Sequence, residues 1–225
     1  MTPRVVALVP ARNEADRVGD AVRALLAIPT VQEVVVVDDA SADRTASEAL
    51  AAGACVLQIP RRAGKGRAIE GALRRVRRAD AWLFADADLG VTASALGPLV
   101  EEVMSGVADM AIAVLPPQPG GGFGMVKRLS ARAIRALSGY EAAEPLSGQR
   151  AVSDEVLSAC RPLARGFGLE TALTVDAVRA GFRVVEIPVD LSHRPTGRGV
   201  AGFAHRGRQG LDILLAVVVR AIGLR

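Results

Sequence analysis

Five short aliphatic runs punctuate the first half of the chain: RVVALV (4–9), EVVVV (33–37), CVLQI (55–59), AWLFA (81–85) and DMAIAV (109–114). The stretches between them read as helices. Val18, Ala21, Val22, Leu25 and Leu26 fall at i, i+3, i+4, i+7 and i+8, the spacing of one helix face. A second helix stops near Gly53. Ala68, Ile69, Ala72, Leu73 and Val76 mark a third, with arginines opposite, and a fourth starts with Thr92 as N-cap and runs to about Met104. EVVVV is apolar throughout rather than alternating, which suits a parallel strand covered on both sides. A β-α repeat of this kind leaves one economical solution: an α/β domain whose mostly parallel sheet carries helices on both faces.

That architecture says where chemistry belongs, because ligands of such sheets bind beyond the carboxyl ends of the strands. Four polar clusters occupy those ends: PARNE (10–14), DDASADRT (38–45), RRAGKG (61–66) and Asp86-Ala87-Asp88. Each alone has a bland reading. Asp43 and Thr45 can cap the second helix, and an Asp pair after a strand often caps a turn. Together they describe a ligand. Period-two alternation would point Asp86 and Asp88 the same way, and two such carboxylates repel unless a positive charge lies between them. A hard divalent cation, Mg²⁺ or Mn²⁺, meets that need and shares its shell with ligand phosphates. Lys65 adds a point charge for the same phosphates. Asp38 or Asp39 can accept from a base N–H, and Asn13 and Glu14 can hold a base or ribose. The implied ligand is a nucleoside diphosphate with its metal.

Composition narrows the partners. The 225 residues are half hydrophobic, enough for a sizeable core, but only seven are aromatic. The net charge of +4 comes almost wholly from arginine, since Lys65 and Lys127 are the only lysines. Arginine favours phosphate and carboxylate partners. Without interleaved aromatics for base stacking, nucleic acid is not the expected partner. Cys55 and Cys160 have neither disulfide-framework nor metal spacing, so a reducing cytoplasm is the expected compartment. The first residues lack a signal-peptide core, and no apolar run reaches the length of about 20 residues that spans a membrane.

Beyond residue 114 the repeat lapses. LPPQPGGGFG is a Pro/Gly loop, a helix is expected from Met125 to Leu137, and RVVEIPV (183–189) reads as a last strand. Residues 192–210 are Gly-rich and basic, without apolar period. LDILLAVVVRAIGL, interrupted by Asp212 and Arg220, reads as a helix that packs on the sheet or lies at the inner face of a membrane beside Arg220 and Arg225. We therefore expect one domain with a nucleotide-binding half (1–114), an acceptor-binding half (115–210) and a C-terminal apolar helix (211–225).

The succession Pro-x-x-Asn-Glu, Asp-Asp-x-Ser-x-Asp-x-Thr, Gly-Lys-Gly and Asp-x-Asp resembles the family 2 glycosyltransferases of GT-A fold, and the likeness extends over about residues 4–194. PLSGQRA (145–151) and GFGLE (166–170) resemble the acceptor-side motifs of that group. The resemblance implies transfer of a hexose from a nucleotide sugar, UDP-glucose first and GDP-mannose second, to an anionic acceptor. It implies that Pro10, Ala11, Arg12, Asn13, Glu14, Asp38, Asp39, Lys65 and Asp86 surround the nucleotide. Asp86 and Asp88 would hold Mg²⁺ or Mn²⁺, and Asp88, Lys65 and Glu170 would carry catalysis. Gly148, Gln149, Arg150 and Glu170 would face the acceptor, with Arg194 and Arg198 of the basic segment.

Two residues keep alternative readings. SHRP (192–195) is similar to a late His-Arg pair of the glucosyl-3-phosphoglycerate synthases, where the histidine binds metal; His193 is otherwise a loop histidine. Glu170 either complements a helix dipole or takes a proton from the acceptor hydroxyl. Polyprenyl-phosphate sugar transferases resemble the same core, so the acceptor is a lipid phosphate or a small phosphorylated or carboxylated metabolite. A homodimer is a further expected assembly.

Other classes fit less well. A sugar-phosphate nucleotidyltransferase needs a Gly-rich loop after the first strand, where PARNEADR stands. IPRRAGKG lacks the first glycine and the Ser/Thr of a P-loop, and no dinucleotide fingerprint follows the first strand. The non-enzyme alternative is an inactive membrane-peripheral module that binds nucleotide sugar.

Overall fold

The computed structural model describes residues 3–116, 124–191 and 212–222 (without the Phe167 side chain). The aliphatic runs form β1 (Val5–Ala11), β2 (Glu33–Asp39), β3 (Cys55–Ile59), β4 (Ala81–Phe84), β5 (Met110–Val114) and β7 (Val184–Pro188), and Arg150–Ser153 adds β6. They make one sheet in the order β3-β2-β1-β4-β6-β5-β7. Only β6 runs antiparallel to its neighbours β4 and β5; the other pairs are parallel. Described helices are α1 (Val18–Leu26), α2 (Thr45–Ala51), α3 (Lys65–Leu73), α4 (Gly97–Met104), α5 (Gly124–Ser138), α6 (Asp154–Cys160), α7 (Leu169–Arg179) and α8 (212–221). The expected α/β architecture is therefore the one that forms.

The valine runs cover both faces of the sheet. Val5, Ala7, Val9, Val34 and Val36 meet α1 and α4, whereas Val6, Leu8, Val35 and Val37 meet α3, α6 and α7. Val18, Ala21, Val22 and Leu25 are fully buried, and the valines and leucine are each worth roughly 1.5–3 kcal/mol relative to exposure. Leu26, counted on the same face from its spacing, ends α1 and is partly open to solvent.

Two local expectations differ. Thr92 does not cap a helix. Ala87–Leu96 is a 3-10 segment kinked at Gly90, the Thr92 hydroxyl donates to the Leu89 carbonyl, and α4 begins only at Gly97, with a proline in its first turn. Strand β6 was not foreseen, because four residues beginning with a buried arginine show no usable period. It matters for the site. Its register sets Arg150 beside Phe84, so residues 148–149 reach the lip where β4 ends.

The C-terminal segment packs on the core. Ile213, Ala216 and Arg220 of α8 are buried, and the Arg220 guanidinium pairs with Asp176 of α7. Leu214, Leu215, Val218 and Ile222 face outward. Among the described residues no helix is long and apolar enough to cross a membrane. Cys55 is exposed and Cys160 is buried.

Candidate active site

Lys65 is delivered by a chain of local contacts. Both oxygens of Asp39, at the end of β2, accept main-chain N–H bonds, from Ala63 at 2.6 Å and Gly64 at 2.9 Å. These bonds fix the turn into α3. Gly64 takes a positive φ of 84°, and a Cβ on Gly66 would lie 2.3 Å from the Ala164 carbonyl, so the glycines flanking Lys65 are both required. Asp39 was expected at the nucleotide. Its carboxylate builds this turn with one bond to each oxygen, which leaves each oxygen a further acceptor position.

From the first position of α3, Lys65 Nζ lies 2.8 Å from Asp86 Oδ1 and 3.2 Å from Glu170 Oε1. Gln149 Nε2 donates to the second oxygen of Asp86 at 2.9 Å. A Cβ on Gly148 would sit 2.2 Å from Lys65 Nζ, 3.2 Å from Asp86 Oδ2 and 3.5 Å from Glu170 Oε1. Only a residue without a side chain fits against that cluster. Its members are partly screened from water: the side chains of Lys65, Asp86 and Glu170 are 26%, 32% and 9% exposed. Burial alone would lower the lysine's pKa, but the adjacent Asp86 and Glu170 carboxylates outweigh it and hold the ammonium well above its ordinary value. Lys65 is thus cationic throughout the physiological range.

The neighbouring lip is laced together. Asn13, at a positive φ of 55°, donates its N–H to Ser41 Oγ and accepts from Ala42 N through Oδ1. Glu14 N–H donates to Thr45 Oγ1, and Ser41 N–H to Asp38 Oδ1. The expected bland role holds for Asp43. Slight burial acts to raise its pKa, but hydrogen bonds from Thr45 and Ala15 lower it on balance, at the start of α2. Pro10 and Ala11 end β1, with Ala11 buried, and Arg12 is exposed. Arg17 reaches from the approach to α1 to the Asp88 carbonyl at 2.9 Å.

Arg150 corrects an expectation. It was placed facing the acceptor, yet it is 1% exposed. Its guanidinium donates to the carbonyls of Ser147 and Glu170 and to Thr174 Oγ1. Burial pushes it down to about 10, against the pull of Glu170, Glu186 and Tyr140, so it stays charged at neutral pH. Glu186 was not singled out from sequence. It accepts the N–H groups of Ala143 and Glu144 and so pins the approach to residues 147–149. An acid inside the otherwise apolar run RVVEIPV was the available signal. His193, Arg194 and Arg198 lie outside the described residues.

Asp86 and Glu170 set two acids against one lysine at this lip; Asp88 follows in the 3-10 segment Ala87–Leu96 and not on a strand, so strand alternation does not align the pair as expected. Hard oxygen donors of this kind fit Mg²⁺ or Mn²⁺. Among the described residues no group of three His, Cys, Asp or Glu side chains is placed to hold an ion, so Asp86 and Asp88 would leave most of the shell to other donors.

Comparison with known proteins places the chain in a family. Residues 6–158 match the model of glycosyl transferase family 2. The glucosyl-3-phosphoglycerate synthase of Mycolicibacterium smegmatis is 31% identical over 237 residues, covering 94% of this chain and 77% of that protein. The glycosyltransferase AglJ of Haloferax volcanii is 28% identical, over 87% of this chain and 66% of its own length. Among solved structures, glucosyl-3-phosphoglycerate synthase of Mycobacterium tuberculosis, in complex with Mn²⁺, UDP and phosphoglyceric acid, superposes with a TM-score of 0.81 at 26% identity. That match covers 97% of this chain and 78% of the other.

Proposed function

The chain belongs to glycosyl transferase family 2, and on that premise we propose that it transfers glucose from UDP-glucose to a phosphorylated small-molecule acceptor, with Mg²⁺ or Mn²⁺ as cofactor. One observation carries the reading: Lys65 lies between Asp86 and Glu170 where β1, β2 and β4 end, with Gly148 leaving room against all three. The relatives' names and the Mn²⁺, UDP and phosphoglycerate of the solved synthase supply the substrate classes.

Residues 1–114 form the donor half in this reading and 115–210 the acceptor half. Asn13, Glu14 and Asp38 hold the nucleoside, together with the main chain of Pro10, Ala11 and Arg12. Transfer breaks the bond between the anomeric carbon and the diphosphate oxygen, so negative charge grows on the departing diphosphate. A cation held by Asp86 and Asp88 would supply charge neutralisation there. Lys65 has three donors and uses two on Asp86 and Glu170; the third serves a phosphate oxygen. Being already oriented, it stabilises the developing charge without reorganisation, the electrostatic contribution that usually dominates. Glu170 faces the acceptor and receives its hydroxyl proton, while Gly148 and Gln149 shape the acceptor side. His193, Arg194 and Arg198 are proposed for metal and acceptor phosphate.

A second acceptor class has its own support. The outward Leu214, Leu215, Val218 and Ile222 of α8 suit a membrane-bound polyprenyl phosphate, with α8 against the lipid surface. The test is product formation from UDP-glucose and GDP-mannose, with 3-phosphoglycerate or polyprenyl phosphate, in Mn²⁺ or in EDTA. Glucosylation of 3-phosphoglycerate with Mn²⁺ supports the first reading. Transfer only to the lipid moves the assignment to the second, and transfer undiminished in EDTA overturns the metal.

A further inference from the structure

Arg150 is among the largest fully buried side chains of the protein, and among the described residues no carboxylate lies within ion-pair distance of it. A buried charge without an acid partner is expensive, and an apolar residue of similar size often serves stability better. What the guanidinium does instead is specific. Nε and Nη2 both donate to the Ser147 carbonyl, at 3.2 and 2.6 Å. Nη1 donates to the Glu170 carbonyl at 3.1 Å and to Thr174 Oγ1 at 3.2 Å. Thr174 Oγ1 itself donates to the Glu170 carbonyl at 3.0 Å.

These acceptors belong to two segments far apart in sequence. Ser147 directly precedes Gly148 and Gln149, which touch Lys65 and Asp86. The Glu170 carbonyl belongs to the residue whose carboxylate meets Lys65. From this geometry we infer that Arg150 is a positioning residue: its rigid fork clamps the 147–149 turn to the first turn of α7, and so fixes how Gly148, Gln149 and the Glu170 carboxylate sit against Lys65 and Asp86. A lysine, with one compact ammonium, cannot span the same acceptors. The clamp stands on the geometry alone, while its catalytic consequence rests on the transferase reading above.

The test uses the full-length protein and the variants Arg150→Ala and Thr174→Val, read by hydrogen exchange and by steady-state kinetics with UDP-glucose. In Arg150→Ala the amides of 145–150 and 169–174 should exchange faster together, by about tenfold, while those of β1 to β3 stay unchanged. Guanidinium ion at tens of millimolar should restore protection in both segments at once, and urea should not. The kcat should fall about 100-fold with KM for the donor nearly unaltered, and guanidinium should recover most of it. Thr174→Val, which keeps the volume, should show the same pattern on a smaller scale. Faster exchange in one segment only, or equal rescue by urea, overturns the clamp. If Arg150→Ala does not fold, wild-type exchange at 145–150 in Thr174→Val overturns it equally. Loosened segments with unchanged kcat overturn the positioning role. A wild type that binds no UDP refutes the transferase reading, and the exchange data still decide the clamp.

Discussion

The two sides of the cleft are assembled by different means. On the side proposed for the donor, residues 11–14, 38–45 and 63–65 are joined by exposed or half-buried hydrogen bonds between side chains and main chain of neighbouring strand ends, such as Asp39 to Ala63 and Gly64, and Asn13 to Ser41 and Ala42. On the other side, residues 147–149 and 166–170 depend on buried contacts: the Arg150 fork, and the Gly166 and Gly168 backbone against α8. A Cβ on Gly166 would approach Asp212 Oδ2 to 2.0 Å, and one on Gly168 would approach Ala216 Cβ to 2.6 Å. Bonding of the first kind shapes the proposed nucleotide pocket without placing polar groups in the core. The second kind ties the acceptor side to the integrity of α7 and α8. Substitutions on the donor side should therefore cost activity with little stability, and those on the far side should cost both.

The largest expected effect is at the acidic pair. Asp88→Ala should lower kcat by about 10³-fold, with the melting temperature within a few degrees of wild type, because it removes a charge from a half-buried cleft position rather than a packing contact. Activity of that variant comparable to wild type would break the donor half of the contrast. Next is Gly148→Ala, whose methyl group displaces Lys65 Nζ from its two carboxylates. The lysine is a flexible tip and moves, so the fold should persist while kcat falls by about 100-fold. Unchanged turnover would show that the Asp86–Lys65–Glu170 geometry is not the working one.

Legibility in the sequence followed the same division. The side proposed for the donor was readable because each of its segments has a local signature: a strand, a polar turn, a helix start. Lys65 meets Asp86 after β4, and the Asn13–Glu14 turn bonds to Ser41 and Thr45 after β2. The turn-building bonds of Asp39 were not legible, since an acid that holds a neighbouring turn and one that faces a ligand have the same local signature. Arg150 misled. Its motif pointed to the acceptor, but only the antiparallel pairing of β6 with β4 turns it into the interior. No local pattern encodes that pairing. Glu186 and Asp176 escaped notice because their partners lie more than 40 residues away.

Smaller effects sharpen the acceptor side. Asp176→Asn leaves the buried Arg220 guanidinium without its acid and should destabilise the protein by about 3 kcal/mol, read by urea denaturation. A loss of kcat smaller than that at Gly148 should accompany it, through α8 and Gly166–Gly168. The mildest prediction concerns Glu70 of α3, which holds Arg161 and the Leu163 N–H. Burial acts to raise its pKa, but these partners outweigh it and lower the value below the usual 4.5. A depressed carboxylate stabilises the fold above its unfolded value and loses that contribution as pH falls through the folded one. Melting temperature should thus drop between pH 5 and 3 more steeply in wild type than in Glu70→Gln, by about 2–4 °C. Parallel curves would remove Glu70 from the ledger of acid sensitivity.

The most direct measurement is calorimetric titration of UDP into the full-length protein with Mn²⁺ and with EDTA, repeated for Asp86→Asn. A diphosphate held between a cation, its aspartates and Lys65 should bind with Mn²⁺ and lose at least tenfold in affinity on chelation or in the variant. Equal affinity in EDTA, or binding untouched by Asp86→Asn, would contradict the account.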